Sequence, residues 1–198
     1  MMDLGLLDRI AAAVTEGDAL NIALLQDYGV RYIEHTNQPI GAKFNAALHL
    51  AGEAPAYMVL PSDDLISEEW RAVYLGATAD YIAPDSCALF DTVTGRAKVL
   101  RWRGRGTLNF GAGRIFSRRV VEALGGKVWS DGRTSGLDSD SHGRMYAAGF
   151  AHVVHRCEKI PITDLKSEGN IWRYETWKGE DITPAEALHM APWVLTSS

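Results

Sequence analysis

The chain has 198 residues, 46% of them apolar, and a formal charge of −5. That length and content fit one domain with a sizeable core. The acidic balance and the lack of a long basic block argue against a protein that coats nucleic acid, whose phosphate contacts need a Lys/Arg surface. Cys87 and Cys157 stand far apart with no metal-type spacing, which suggests neither a zinc site nor a disulfide framework and fits a reducing, cytoplasmic setting. No apolar run reaches the ~18 residues of a membrane span. The start, MMDLGLLDRIAAAV, lacks the basic opening and cleavage pattern of a signal peptide.

Taken in order, the stretch from Leu4 to Val14 is apolar, with Arg9 to Thr15 its best strand candidate. Glu16-Gly17-Asp18 reads as a strand-to-helix turn. Ala19 to Tyr28 carries helical spacing and closes at Gly29. Val30 to Glu34 follows as a strand, His35 to Pro39 as a loop, and Ile40 to Ala51 as a helix with Phe44, Ala47, Leu48 and Ala51 on one face. Strand, helix, strand, helix at short loop spacing marks a parallel sheet with crossovers. The next apolar run, Tyr57 to Leu60, is therefore expected to be a central strand. It ends at Pro61, then Asp63 and Asp64, then a helix from Ser67 to Ala77.

Asp80 to Ala83 predicts a further strand, and Cys87 to Val93 with Ala97 to Trp102 an antiparallel hairpin around Thr94-Gly95-Arg96. The patch Arg101-Trp102-Arg103-Gly104-Arg105 reads either as a solvated loop or as a contact for an anion. Gly111-Ala112-Gly113-Arg114-Ile115-Phe116 lacks the third glycine of a dinucleotide fingerprint and reads as a ligand-approaching loop or a plain turn, followed by a helix from Arg119 to Leu124. Asp138 and Asp140 precede or open a helix from Ser141 to Gly149. One of them suffices for capping, which leaves one spare. Phe150 to Val154 predicts a strand, with His152 and His155 first as packed residues and only second as ligands. Trp172, Tyr174, Trp177 and Trp193 suit a covered sheet edge, a sugar-stacking surface or an oligomer contact, and the last helix runs from Pro184 to Met190.

Taken alone, Ser62-Asp63-Asp64 reads first as a helix cap with a solvated turn. Its second meaning is a carboxylate pair for a hard divalent cation beyond a strand end. Four blocks in order favour the second. Asn37 to Asn45 resembles the N-x-x-x-G-x-x-R/K-x-N helix start of family 2 glycosyltransferases of the GT-A fold. Tyr57 to Leu65 is similar to their strand ending in a D-x-D type motif, and the loop and helix from Gly111 to Arg119 and Gly136-Leu137-Asp138 follow in the family order. The resemblance spans Glu16 to Gly149.

It implies a single three-layer α/β domain of GT-A type, with a mostly parallel central sheet and a small antiparallel hairpin. Residues 1–110 would form the nucleotide-sugar half, 111–163 the acceptor and catalytic half, and 164–198 an aromatic tail. By the same resemblance Asp64 would bind Mg²⁺ or Mn²⁺, Asp63 would reach the ribose or the metal's water shell, Lys43 would meet the nucleotide, and Asn45 would accompany it, bracing the loop. Asp138 would be the general base. From their places in the chain, Asp140 is the fallback if Asp138 merely caps its helix, and His155, close to the end of a later strand, could complete the metal shell. Members of the family also carry a first strand and helix ahead of the pocket; here little precedes Glu16, so that unit is expected to be truncated or replaced.

The chemistry so implied is inverting transfer of a sugar from a nucleoside diphosphate donor, such as a uridine diphosphate sugar, to a hydroxyl on a glycan, a protein or a modified nucleic-acid base. A metal ion stabilises charge on the leaving diphosphate and a carboxylate takes the acceptor's proton. Two rival expectations are a non-catalytic GT-A-like module for carbohydrate binding or assembly, and a nucleotidyltransferase. The latter is disfavoured by the lack of an early Gly-rich basic loop.

Overall fold

The computed structural model describes residues 9–101, 110–167 and 173–188. Trp102 to Arg105 of the basic patch, Trp172, Trp193 and the end of the last expected helix lie outside those residues. In chain order the elements are β1 (Ala11–Thr15), α1 (Ala19–Asp27), β2 (Arg31–His35), α2 (Ile40–Ala51), β3 (Ala56–Met58), β4 (Asp64–Ile66), α3 (Glu68–Leu75), β5 (Tyr81–Pro84) and β6 (Ser86–Asp91). They continue with β7 (Ala97–Arg101), β8 (Ile115–Ser117), α4 (Arg118–Ala123), α5 (Leu137–Ala147), β9 (Val153–His155), β10 (Ile162–Lys166), β11 (Glu180–Ile182) and α6 (Pro184–Leu188). The chain forms two compact units, one of Met1–Tyr57 with Arg118–Ala151 and one of Met58–Ser117 with His152–Ser198. Among the described residues no helix is long and apolar enough to cross a membrane.

In the first unit β1 and β2 pair in parallel, Ala13 opposite Ile33. The helix between them starts where Asp18 accepts from the Asn21 amide at 3.2 Å and ends before Gly29, whose φ of 65° suits a residue without a Cβ. α2 packs on both strands and buries Gly41, Asn45 and Leu48. Phe44 meets Trp129 edge-on with ring centroids 5.2 Å apart, a favourable quadrupole arrangement. Gly41 lets α2 approach the following loop closely, since a Cβ there would lie under 3.0 Å from the Ser130 carbonyl oxygen. Its own amide donates to the Arg133 carbonyl at 2.9 Å. Helix α5 begins at Leu137, earlier than the spacing predicts, and so takes Asp138 and Asp140 into its first turn, where the helix dipole favours negative charge.

The second unit holds a five-stranded sheet in the order β11-β7-β6-β10-β4. Only the β6–β10 pair is parallel; β6–β7, β7–β11 and β10–β4 are antiparallel. A smaller sheet pairs β5 antiparallel with β8 and parallel with β9. The expected mostly parallel central sheet is therefore corrected to mixed sheets. Two pairings account for this: β6 and β7 form the expected hairpin, and β10 returns to lie between β6 and β4, a long-range pairing that alternation along the chain does not encode. The expected central strand before Asp63 is likewise only the three residues of β3, outside the five-stranded sheet, and Asp64 opens β4 at that sheet's edge.

The core of this unit includes Ala88, Ala97, Val99, Ile160 and Ala187, with Phe90 and Ile182 packed against them. Thr163, fully buried on β10, donates its hydroxyl to the Ala187 carbonyl at 2.8 Å and so pins α6. Ser67 caps α3 by accepting from the Trp70 amide at 3.0 Å, and the buried Trp70 indole donates to the Gly113 carbonyl at 2.9 Å. The Gly111 to Gly113 stretch is thereby a packed turn, Gly113 having a φ of 73°.

Candidate functional site

Open α/β sheets gather ligands beyond the carboxyl ends of their parallel strands. In the first unit those ends are Thr15 and His35, followed by the turn Glu16-Gly17-Asp18 and the loop Thr36-Asn37. Lys43, one turn into α2, reaches this point: its Nζ donates to Thr15 Oγ1 at 2.8 Å and to Asn37 Oδ1 at 3.3 Å. The Gly17 amide donates to Glu34 Oε2 at 3.2 Å, which fixes the turn. Partial burial pulls the Lys43 pKa below the ordinary lysine value, and the attraction of Asp18 only partly offsets this. Asp18 itself is held below the usual carboxylate range, chiefly by the Asn21 side-chain amide at 2.7 Å. The result is a half-buried cation held by a hydroxyl and an amide oxygen, with the Asp18 carboxylate near enough to attract it.

Asn45 does not face that group. Its side-chain nitrogen donates to the Trp129 carbonyl at 2.7 Å and to Asp131 Oδ1 at 2.8 Å, while its oxygen accepts from the Trp129 amide at 3.2 Å. With both halves of the carboxamide engaged, Asn45 braces the 129–131 loop. A cavity of about 360 Å³ lies on this side of α2, lined by Ala42, Ala46, His49 and Lys127 among others; it does not include Lys43.

Asp140 is committed to the same loop, accepting from the Ser130 amide at 2.7 Å and the Ser130 hydroxyl at 2.9 Å, with Arg133 Nε 3.5 Å away. Asp138 is half-buried in the first turn of α5. Of the two carboxylates, Asp140 has a structural task that Ser130 accounts for.

The second unit carries Asp63 and Asp64. The Asp63 carbonyl accepts from the Leu165 amide at 2.8 Å. Asp64, only 8% exposed, stands opposite Asp164 in the β4–β10 register. Like charges opposite each other in a ladder repel, and Lys166 relieves this by pairing with Asp164 at 2.6 Å. Among the described residues no group of three His, Cys, Asp or Glu side chains gathers to hold a metal, and His155 lies edge-on to Trp70, ring centroids 6.0 Å apart. Asp64 and Asp164 are the carboxylates that face each other here, the second of them already paired with Lys166. Two hard oxygen donors fit a magnesium- or manganese-type ion when water and phosphate oxygens supply its remaining ligands.

No protein-family model matches this chain, and no curated protein matches it.

Asp164 and Lys166 escape sequence reasoning because Ile162-Thr163-Asp164-Leu165-Lys166 carries two charges in a five-residue strand, against the usual apolar pattern. Thr15 and Asn37 are ordinary turn residues until Lys43 is placed between them.

Both thiols are suppressed. Burial, then the nearby Asp64 and Asp164 carboxylates, push the Cys87 thiol well above its ordinary value. Burial and Glu69 push Cys157 up to about 12. Since the thiolate is the nucleophile, the native protein at pH 8 is expected to react with a disulfide reagent at least ~100-fold more slowly than a free thiol, both cysteines reacting on unfolding. Titration of released chromophore checks this; fast reaction of the native protein would contradict it.

Proposed function

We propose that the protein is a glycosyltransferase that moves a sugar, with inversion, from a nucleoside diphosphate donor such as a uridine diphosphate sugar to a hydroxyl acceptor, assisted by Mn²⁺ or Mg²⁺, on a GT-A-like variant of the α/β fold. The observation that carries this is Lys43. A cation kept at the carboxyl ends of two parallel strands, against the cost of its burial, supports binding of an anionic ligand there, and a nucleoside diphosphate matches its charge.

Roles follow residue by residue. Lys43 would hold the nucleotide's anionic part, with Thr15 and Asn37 orienting its ammonium. Asn45 would act indirectly, by fixing the 129–131 loop. Asp64, with Asp164 opposite, would hold the metal ion, and Asp63 would reach the ribose or the ion's water shell. When bound, such an ion stabilises the negative charge that grows on the leaving diphosphate. Asp138 would accept the acceptor hydroxyl's proton, the role the family resemblance gives its position, while Asp140 holds Ser130. The acceptor is a glycan, a protein or a modified nucleic-acid base, and the two free cysteines suit a reducing compartment such as the cytoplasm.

One observation favours a second reading, a non-catalytic nucleotide- or sugar-binding module: Lys166 already neutralises Asp164, which weakens the pair as a metal site. Turnover separates the two. With Mn²⁺ and a panel of sugar nucleotides, wild-type protein is expected to release nucleoside diphosphate, and Asp138→Asn to do so about 10²- to 10⁴-fold more slowly with nucleotide binding unchanged. Nucleotide binding without turnover in the wild type would support the module; full turnover by Asp138→Asn would remove Asp138 as the base.

A further inference from the structure

Parallel strands are ordinarily found within larger sheets with neighbours on both sides. Among the described residues β1 and β2 form a sheet of two, and within that set each has one edge with no strand beside it. The two edges differ. β2 carries two charged residues, Arg31, whose guanidinium donates to the Leu50 and Ala51 carbonyls, and Glu34, whose carboxylate accepts from the Gly17 amide, and charges on a strand disfavour further pairing along it. β1, Ala-Ala-Ala-Val-Thr, has no charge, no proline and only small or β-branched side chains. The helix between them, α1, buries none of its residues, and Leu20 and Leu24, one turn apart, are 81% and 51% exposed. This βαβ layer presents the surface of an element awaiting a neighbour.

The charges at the ends of β1 specify which neighbour. Arg9 stands at its start and Glu16 just past its end, both exposed, and neither takes part in an ion pair among the described residues. An antiparallel partner strand with the same sequence reverses that order. Centred on Ala13, it sets Ile10 of each copy opposite Glu16 of the other, with Arg9 beside that Glu16, and the small alanines permit close approach of the two backbones. A parallel copy would put like charges together.

We infer that the outer edge of β1 is a self-association surface, through which two copies of this chain join their sheets into one four-stranded sheet in the order β2-β1-β1-β2. The interface is isologous, as a two-fold dimer requires, and is independent of the glycosyltransferase assignment.

The test is sedimentation equilibrium on the full chain, with hydrogen exchange read at residues 11–15. The wild type is expected to be a dimer with slow exchange at those amides. Arg9→Glu should weaken dimerisation about ten-fold through its two symmetry-related contacts, and Arg9→Glu combined with Glu16→Arg should restore it. Circular dichroism confirms that the variants remain folded. The inference is overturned by a wild type that stays monomeric at ~100 μM, whether its β1 amides exchange fast or are protected by another part of its own chain. It is equally overturned by a dimer that neither charge change affects.

Discussion

Gly41→Ala is expected to lower the stability of the protein by about 3 kcal/mol or more, the range of severe overpacking against groups that cannot rotate away. The added methyl would meet the carbonyl oxygen of Ser130 at under 3.0 Å, with the carbonyl carbon and the Arg133 Cβ just behind. These are backbone and near-backbone atoms of a loop that Asn45 and Asp140 already hold by five hydrogen bonds, so relief requires α2 to move outward and give up its Phe44–Trp129 contact. Gly132→Ala, in the same loop but with nothing within 4 Å of its Cβ, is the control and is expected to change stability by less than ~0.5 kcal/mol. Urea unfolding followed by tryptophan fluorescence compares the two; equal midpoints would contradict the packing described.

Lys98→Met is expected to cost about 2–3 kcal/mol, since charge-assisted hydrogen bonds to buried carbonyls are lost and the carbonyls stay behind. The Lys98 ammonium, on the buried strand β7, donates to the Tyr174 carbonyl at 3.0 Å and the Trp177 carbonyl at 2.9 Å, and sits 3.8 Å from the centre of the Tyr174 ring. It gathers the turn Tyr174–Thr176 onto the sheet. Arg96 assists from the surface by pairing with Glu175 at 2.7 Å, an exposed contact of much smaller value. The measurable consequence is faster proteolytic cleavage near residue 174 together with a lowered melting temperature. Arg96→Ala is expected to show only a slight change in either, and a Lys98→Met variant as resistant as the wild type would contradict the clamp.

The first unit was legible where local pattern and local pairing coincide. Thr15-Glu16-Gly17-Asp18, Gly29 and the apolar face of α2 each follow from turn chemistry and helical spacing, and β1 and β2 are joined by a single crossover. Lys43 was legible as a candidate because α2 begins where it does. Contacts across long separations were not: Asn45 meets Trp129 at a separation of 84 residues, and nothing in either segment signals the other. Asp64 shows the same limit more sharply. In sequence it follows an apolar run and precedes a helix, which suggests a strand end; in space it begins a strand of its own, defined by pairing with Ile162–Asp164. The mixed sheet of the second unit arises from that one long-range insertion of β10.

Isothermal titration of uridine diphosphate with Mn²⁺ into wild-type protein and Lys43→Met tests whether Lys43 marks a nucleotide site. The wild type is predicted to bind saturably, and Lys43→Met about 10- to 100-fold more weakly, the value of one charge-assisted contact. A bound anion favours protonated Lys43, whose pKa in the free protein lies below the ordinary lysine value. Affinity is therefore predicted to hold below that pKa and to decline as pH rises through it, earlier than an ordinary lysine would allow. Absence of binding by the wild type, or equal affinity in Lys43→Met, would contradict the assignment.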